Sequence, residues 1–224
     1  MEYIWESKLL KTEIGAPARR VSVLLIVKRV IDLGIGIPLL LFAIPVILVM
    51  ACLIRIDSPG NPFFKQQRVG RLARHFTLYK MRTLYTHQFG LFPNEEIGTE
   101  NYRVSRVGKY LRRYKIDELP QLINILLGHM SFVGPRPDIP LQVQYYTADQ
   151  AERLLVKPGL TGVTQISGNT LLSWPERIIL DRWYIQHLTL GLDIRIMWYT
   201  FYAVWQGENL QSDPLKIRRK LLNN

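Results

Sequence analysis

Apolar positions crowd into one stretch near the start of the chain. From Val30 to Ile54 there are 25 residues and a single charge, Asp32. A straight helix of that length reaches roughly 37 Å, enough to cross the hydrocarbon core of a bilayer. Two features argue against simple crossing. Arg19, Arg20, Lys28 and Arg29 precede the stretch, and Arg55, Lys65, Arg68, Arg71 and Arg74 follow it. Lysine and arginine favour the cytoplasmic side, and neither flank is poor in them. Pro45 also falls near the middle, where it removes a helical hydrogen bond and crowds the carbonyl of Leu41. Pro38 can start a turn or add a second bend. The pattern predicts a re-entrant hairpin over 30–57, with helix on either side of a break near Ile44-Pro45 and both ends on one face of the membrane.

Beyond it the periodicity shortens. Ser58-Pro59-Gly60-Asn61-Pro62 is a stop-and-turn signal, and Phe63–Lys65 and Phe76–Tyr79 read as strands around a turn at Gly70. Residues 86–100 read as loop. Helical spacing returns over Val104–Arg113 and again over Glu118–Leu127, which Gly128 ends. Ser131–Pro140, with three prolines and a glycine, reads as loop. A short helix after Thr147 through Leu155 leads to the turn Lys157-Pro158-Gly159. Ser173 is placed to cap a helix with Pro175 in its first turn, running to about His187. Ile194–Trp205 carries aromatics on most faces, which suits a core helix or, beside a basic tail, one at a membrane interface. The fold class expected is mainly α with a small β-hairpin (α+β). It divides into a basic segment (1–29), the membrane hairpin (30–57), a cytoplasmic domain with interfacial amphipathic helices (58–206) and a basic tail (207–224).

Charge adds a second requirement. The 224 residues are 48% hydrophobic yet carry a formal net charge of +11. Such a chain meets both a hydrocarbon phase and something anionic: nucleic acid, lipid headgroups or a phosphorylated substrate. One cysteine, Cys52, excludes a disulfide framework or a thiolate metal site, and the four scattered histidines give no zinc site. The apolar run starts too late and lacks the cleavage site of a signal peptide. The cations cluster at the membrane flanks and around an acidic pair, not along a base-reading stripe, so nucleic acid is not an expected partner.

That acidic pair carries the candidate chemistry. In Lys115-Ile116-Asp117-Glu118-Leu119-Pro120-Gln121, Asp117 suits a helix N-cap, with Glu118 in the first turn and Pro120 where no donor is needed. Capping alone accounts for these residues. The same position also permits phosphate chemistry, because a helix N-terminus favours negative charge and binds phosphate. An aspartate there can attack phosphorus while its neighbour holds Mg²⁺. Arg112, Arg113 and Arg136 flank the pair in sequence, and Lys80 and Arg82 close the predicted hairpin; guanidinium forks suit phosphate oxygens.

Four blocks carry a family resemblance. They are Ser58-Pro59-Gly60 with Phe63-Phe64-Lys65-Gln66-Gln67-Arg68-Val69-Gly70; Leu78-Tyr79-Lys80-Met81-Arg82-Thr83; Asp117-Glu118-Leu119-Pro120-Gln121-Leu122-Ile123-Asn124 running on to Met130-Ser131-Phe132-Val133-Gly134-Pro135-Arg136-Pro137; and Lys157-Pro158-Gly159-Leu160-Thr161-Gly162 with Ser173-Trp174 and Asp181. In this order, over roughly residues 22–205, they resemble the bacterial sugar transferase family, the monotopic phosphoglycosyl transferases. The resemblance implies a re-entrant membrane helix broken at Pro45 and an active site on the cytoplasmic face of the bacterial inner membrane. The implied reaction passes a sugar-1-phosphate from a UDP-sugar to polyprenyl phosphate through a covalent aspartyl intermediate, starting lipid-linked glycan synthesis. It implies Asp117 as nucleophile, Glu118 as the residue associated with Mg²⁺, and Lys80, Arg112, Arg136 and Asp181 around the phosphates. Three positions depart from the pattern: His129 where the family usually has aspartate, Asn169 in place of an Asn-Gly-Arg step, and Ile44 where a serine commonly precedes the proline. The alternative is a non-catalytic membrane-bound scaffold of the same fold, against which the intact dyad argues.

Overall fold

The computed structural model describes residues 19–85, 101–168 and 171–206. The N-terminal segment through residue 18, the loop expected over 86–100, Asn169 and the basic tail lie outside the described residues. The apolar stretch is one helix, α1, from Arg19 to Asp57, with Pro38 and Pro45 both inside it. The expected break at Ile44-Pro45 is thus not an interruption of helical secondary structure. Each proline costs one bond in a long ladder, and the turns on either side continue. Lys28, Asp32, Gly36, Ala43, Ile47, Ala51 and Ile54 are buried in a single stripe, at the three- and four-residue spacing of one helix face. The other faces expose Ile26, Val30, Leu41, Phe42 and Leu48 among others. An apolar surface this long and continuous marks membrane contact.

Charges hold the stripe to the rest of the chain. The Lys28 ammonium pairs with Asp193 and donates to Tyr184 Oη (3.1 Å) and to the Val133 carbonyl (3.2 Å). Asp32 Oδ1 accepts from Ser131 Oγ and from the Phe132 N–H, both at 3.0 Å. At the far end Asp57 Oδ2 accepts from the Val107 N–H at 3.1 Å. Gly36 allows close approach, since a Cβ there would sit 3.0 Å from Leu126.

The expected hairpin is present and longer than its apolar centre suggested. β1 (Phe63–Val69) pairs antiparallel with β2 (His75–Met81), Phe63 opposite Met81 and Val69 opposite His75. Leu72 and Ala73, both at positive φ, make the tight connection. By the two-residue period of a strand, Lys80 shares a face with buried Phe76 and Leu78. That face meets the helical part of the domain.

Helix α2 (Arg106–Arg113) starts at Ser105, whose Oγ accepts from the Gly108 N–H at 3.0 Å. A single 3₁₀ turn, Ile116–Glu118, then leads into α3 (Gln121–Leu126), which Gly128 closes at φ 81°. The helix expected from Glu118 therefore begins later, at Pro120 as N-cap, and Asp117 does not cap it. Asn124 fastens α3 to the hairpin, accepting from the Tyr79 N–H (3.1 Å) and donating to the Thr77 carbonyl (2.7 Å).

The segment Ser131–Pro140 is not all loop. β3 (Ser131–Val133) pairs in parallel with β4 (Gly159–Thr161), Ser131 opposite Gly159. Between them lie α4 (Pro140–Val143), α5 (Ala148–Ala151) and a 3₁₀ turn, Glu152–Leu155. A three-residue strand carries no legible alternation, and only its partner 28 positions on defines it. The short α6 (Val163–Ile166) precedes α7 (Trp174–Gln186), where Glu176 reaches back to the Ser173 N–H at 2.8 Å. The last described helix, α8 (Leu190–Gln206), buries Leu192, Asp193 and Ile196 and exposes Ile194, Trp198, Phe201 and Tyr202 along one side. One core cluster joins α1, the hairpin, α2, α3, β3, α7 and α8 through residues such as Ile54, Leu78, Leu111, Ile125, Val133, Leu180 and Ile196.

Candidate active site

The corner between α2 and α3 builds the site. Lys115 takes a left-handed conformation (φ 56°, ψ 20°), uncommon for a residue with a side chain, and reverses the chain into the 3₁₀ turn. Asp117 and Glu118 follow at once and are both buried. They face the end of β2, where the Lys80 ammonium lies 2.9 Å from Glu118 Oε1 and 3.5 Å from Asp117 Oδ2. Arg136, from the loop after β3, brings Nη2 to 3.5 Å from the same Glu118 oxygen. Arg112 sits one layer out, its Nε donating to Thr83 Oγ1 at 2.8 Å, and its charge is felt at Asp117.

The two carboxyls experience this corner differently. Burial opposes ionisation of Glu118, but Lys80, Arg136 and Lys115 together outweigh it and hold its carboxyl well below the usual range. Burial raises the pKa of Asp117; Lys80 offsets part of that, and the ionised Glu118 beside it adds to the rise. Asp117 Oδ1 is buried and, among the described residues, without a hydrogen-bond partner. A carboxylate in a capping role would spend that oxygen on a backbone N–H, so this atom points to a role other than capping.

The donor set also fits a divalent cation of one kind. Among the described residues no group of three or more His, Cys, Asp or Glu gathers for a metal. Magnesium asks less of a protein, commonly one or two carboxylates with the balance from water and substrate phosphates. Glu118, a buried carboxylate held ionised by its neighbours, is one such ligand.

The model of the family described as bacterial sugar transferase matches residues 23–207. The chain belongs to the bacterial sugar transferase family. Among similar proteins, the uncharacterized sugar transferase EpsL of Bacillus subtilis is 38% identical over 190 residues, 84% of this chain and 91% of that protein. The UDP-glucose:undecaprenyl-phosphate glucose-1-phosphate transferase of Caulobacter vibrioides is 37% identical over 212 residues, covering 91% and 78%. The undecaprenyl-phosphate glucose phosphotransferase of Komagataeibacter xylinus is 38% identical over 184 residues, 77% of this chain but 35% of that protein, so this chain spans about a third of its length.

In this sugar transferase Lys80 and Arg136 meet the acidic pair directly and Arg112 lies beside it, whereas Asp181 sits apart. Asp181, on α7, accepts from Thr164 Oγ1 and from Arg153 Nη2, each at 2.5 Å. Arg153 also pairs with Asp138 and donates to Tyr146 Oη (3.0 Å) and to the Arg136 carbonyl (3.2 Å). Asp181 therefore reaches the Arg136 loop through Arg153. Burial raises the Asp181 pKa, and Arg153 and Thr164 counter the rise. Sequence reasoning missed Arg153, which stands in the 3₁₀ turn Glu152–Leu155 with no motif around it. It also missed the anchoring roles of Lys28 and Asp32, although their four-residue spacing on an apolar helix was a usable signal. Of the departing positions, Ile44 is exposed on α1 and His129 packs its ring against Phe76 at 5.6 Å, away from the acidic pair.

Proposed function

We propose that this transferase moves a sugar-1-phosphate from a UDP-sugar to undecaprenyl phosphate, at the cytoplasmic face of the bacterial inner membrane, by way of a covalent aspartyl intermediate. The observation that carries the reading is Asp117 Oδ1: a buried carboxylate oxygen with no partner, in a corner lined by Lys80, Arg136 and Arg112. In the first half-reaction that carboxylate forms a bond to the β-phosphorus of the donor, the phosphorus that bears the sugar. The bond from this phosphorus to the bridging oxygen breaks, and UMP leaves with its electron pair. In the second, an oxygen of the polyprenyl phosphate attacks the same phosphorus and returns the carboxylate, giving a polyprenyl diphosphate sugar. Lys80 and Arg136 offset charge on the phosphoryl oxygens through both steps, in a site where burial strengthens each interaction. Glu118 would hold Mg²⁺, which when bound would supply charge neutralisation to the departing UMP. The relatives named above as undecaprenyl-phosphate transferases support the donor and acceptor classes, and a relative named as an exopolysaccharide production protein, from Rhizobium leguminosarum, supports a place in glycan synthesis.

Contacts at both ends of α1 support a re-entrant topology. Lys28 is tied to Val133 and Asp193, and Asp57 to Val107, all in the same packed domain. A helix crossing the bilayer would put its ends on opposite sides of a core about 30 Å thick. One domain then could not hold both.

The test is a single turnover without acceptor. Wild-type enzyme given UDP-sugar alone should release up to about one equivalent of UMP and gain the mass of a phospho-sugar. Asp117→Asn should do neither. Sustained turnover by the Asn variant, with deamidation excluded by mass, removes the aspartyl mechanism.

A further inference from the structure

At the other end of α3 from the acidic pair lies a second group of cations. Gly128, the left-handed residue that ends α3, has Arg29 and Lys157 on either side. A Cβ placed on it would be 3.5 Å from Arg29 Nη2 and 3.6 Å from Lys157 Nζ, which puts the two charges within about 7 Å of each other. Arg71 joins them: its Nε donates to the Leu155 carbonyl at 2.9 Å, and its charge, like that of Arg29, acts on Lys157.

The three cations are not equally provided for. Arg29 donates to the Ile125 and Leu126 carbonyls, at 2.5 and 2.6 Å, and so closes the C-terminal end of α3. Lys157 is half-buried and makes no hydrogen bond or ion pair among the described residues. Among the described residues Asp32 is the carboxylate whose charge acts on it, and Asp32 Oδ1 already serves Ser131 and Phe132. Burial lowers the Lys157 pKa, and Arg29 and Arg71 lower it further, with Asp32 opposing them. A half-buried ammonium has three donors to satisfy, and two neighbouring cations make its position worse. A bound anion removes both costs.

The surroundings say which anion. Arg29 directly precedes Val30, where the apolar run of α1 begins. Ile26 and Val30, within three residues of Arg29 on α1, and Ile123 on α3 with its C-cap Leu127, just before Gly128, are exposed, Leu127 at 57%. An inorganic phosphate has no use for such an apolar rim. A phospholipid fills both parts, with acyl chain on the rim and phosphate on the cations. α3 itself, about 9 Å long, stands between this place and Asp117, so a phosphate held here is not the one that reacts.

We propose that Lys157, Arg29 and Arg71 form a binding site for the phosphate of an anionic phospholipid, separate from the reaction centre, at the point where α1 enters the membrane. The site needs membrane association of α1 and is independent of the aspartyl chemistry.

The experiment uses the full chain in a neutral detergent. Its melting temperature is followed against increasing dioctanoyl phosphatidylglycerol, dioctanoyl phosphatidylcholine or inorganic phosphate. Phosphatidylglycerol should raise the melting temperature saturably, while phosphatidylcholine and inorganic phosphate at equal concentration should not. Lys157→Met should weaken the apparent affinity for phosphatidylglycerol at least 10-fold, Arg71→Gln should weaken it to a lesser extent, and Lys157→Arg should restore most of it. UMP release by Lys157→Met in phosphatidylcholine alone should match wild type, which separates lipid binding from catalysis. Superimposable titrations for wild type and Lys157→Met, or equal effects of the two phospholipids, overturn the proposal. An effect of inorganic phosphate as strong as that of phosphatidylglycerol overturns its lipid identity.

Discussion

Replacing Asp117 by alanine separates the two roles its sequence position allows. An N-cap aspartate replaced by alanine costs about 1 kcal/mol of stability. The structure removes that expectation, because α3 begins at Pro120 and Asp117 Oδ1 has no partner to lose. Lys80 keeps its 2.9 Å contact with Glu118 after the substitution. What disappears is a buried, partly unsatisfied carboxylate next to another carboxylate. Leaving a buried polar group unsatisfied costs about 1–3 kcal/mol, and relief of the lower part of that range outweighs the small loss of packing. We therefore expect Asp117→Ala to abolish transfer and to raise the melting temperature by about 2–4 °C, the shift that about 1 kcal/mol gives in a chain of this size. The effect should depend on pH. Because the folded-state pKa of Asp117 is raised, the folded protein holds the proton more tightly than the unfolded chain. The penalty is absent below the ordinary aspartate value of 3.8, grows as pH rises above it, and is complete above the raised folded value. The stability gap between variant and wild type should thus be widest at neutral pH and close towards pH 4. Differential scanning fluorimetry in one detergent, at a fixed scan rate, measures it. A fall of 3 °C or more at pH 7 would refute the reasoning and return Asp117 to a structural role.

Arg153→Met leaves Asp138 and Asp181 buried without their cation; breaking such a pair costs about 3–5 kcal/mol, so the melting temperature should drop by about 10 °C, and a drop under 3 °C would mean the network is weakly held. For topology, single cysteines near Arg20 and near Arg71, in a Cys52-free background, should both resist an impermeant thiol reagent in intact cells. Labelling at one end alone would establish a crossing helix.

Much of this protein is readable without its fold, because the deciding physics is local. An apolar run of 25 residues needs a bilayer or a protein core to bury it. Alternation around Gly70, a capping serine before Pro175, and glycine at 128 each act within a few residues, and the hairpin, α7 and the end of α3 appear where those signals stand. Motif order likewise brought Asp117, Glu118, Lys80 and Arg136 to notice, and the chain folds them into one corner. Long-range pairing lay beyond local signals. β3 is three residues that become a strand only beside β4, and Arg153 gains its meaning from Asp138, Asp181 and the Arg136 carbonyl, which other segments supply. The role of Asp117 shows the division most clearly. Its residue type and neighbours in sequence favour a cap, and the family resemblance is what implies a nucleophile. The left-handed turn at Lys115 removes the cap reading, by placing the carboxylate off the helix end and in a buried corner where, among the described residues, one of its oxygens has no donor.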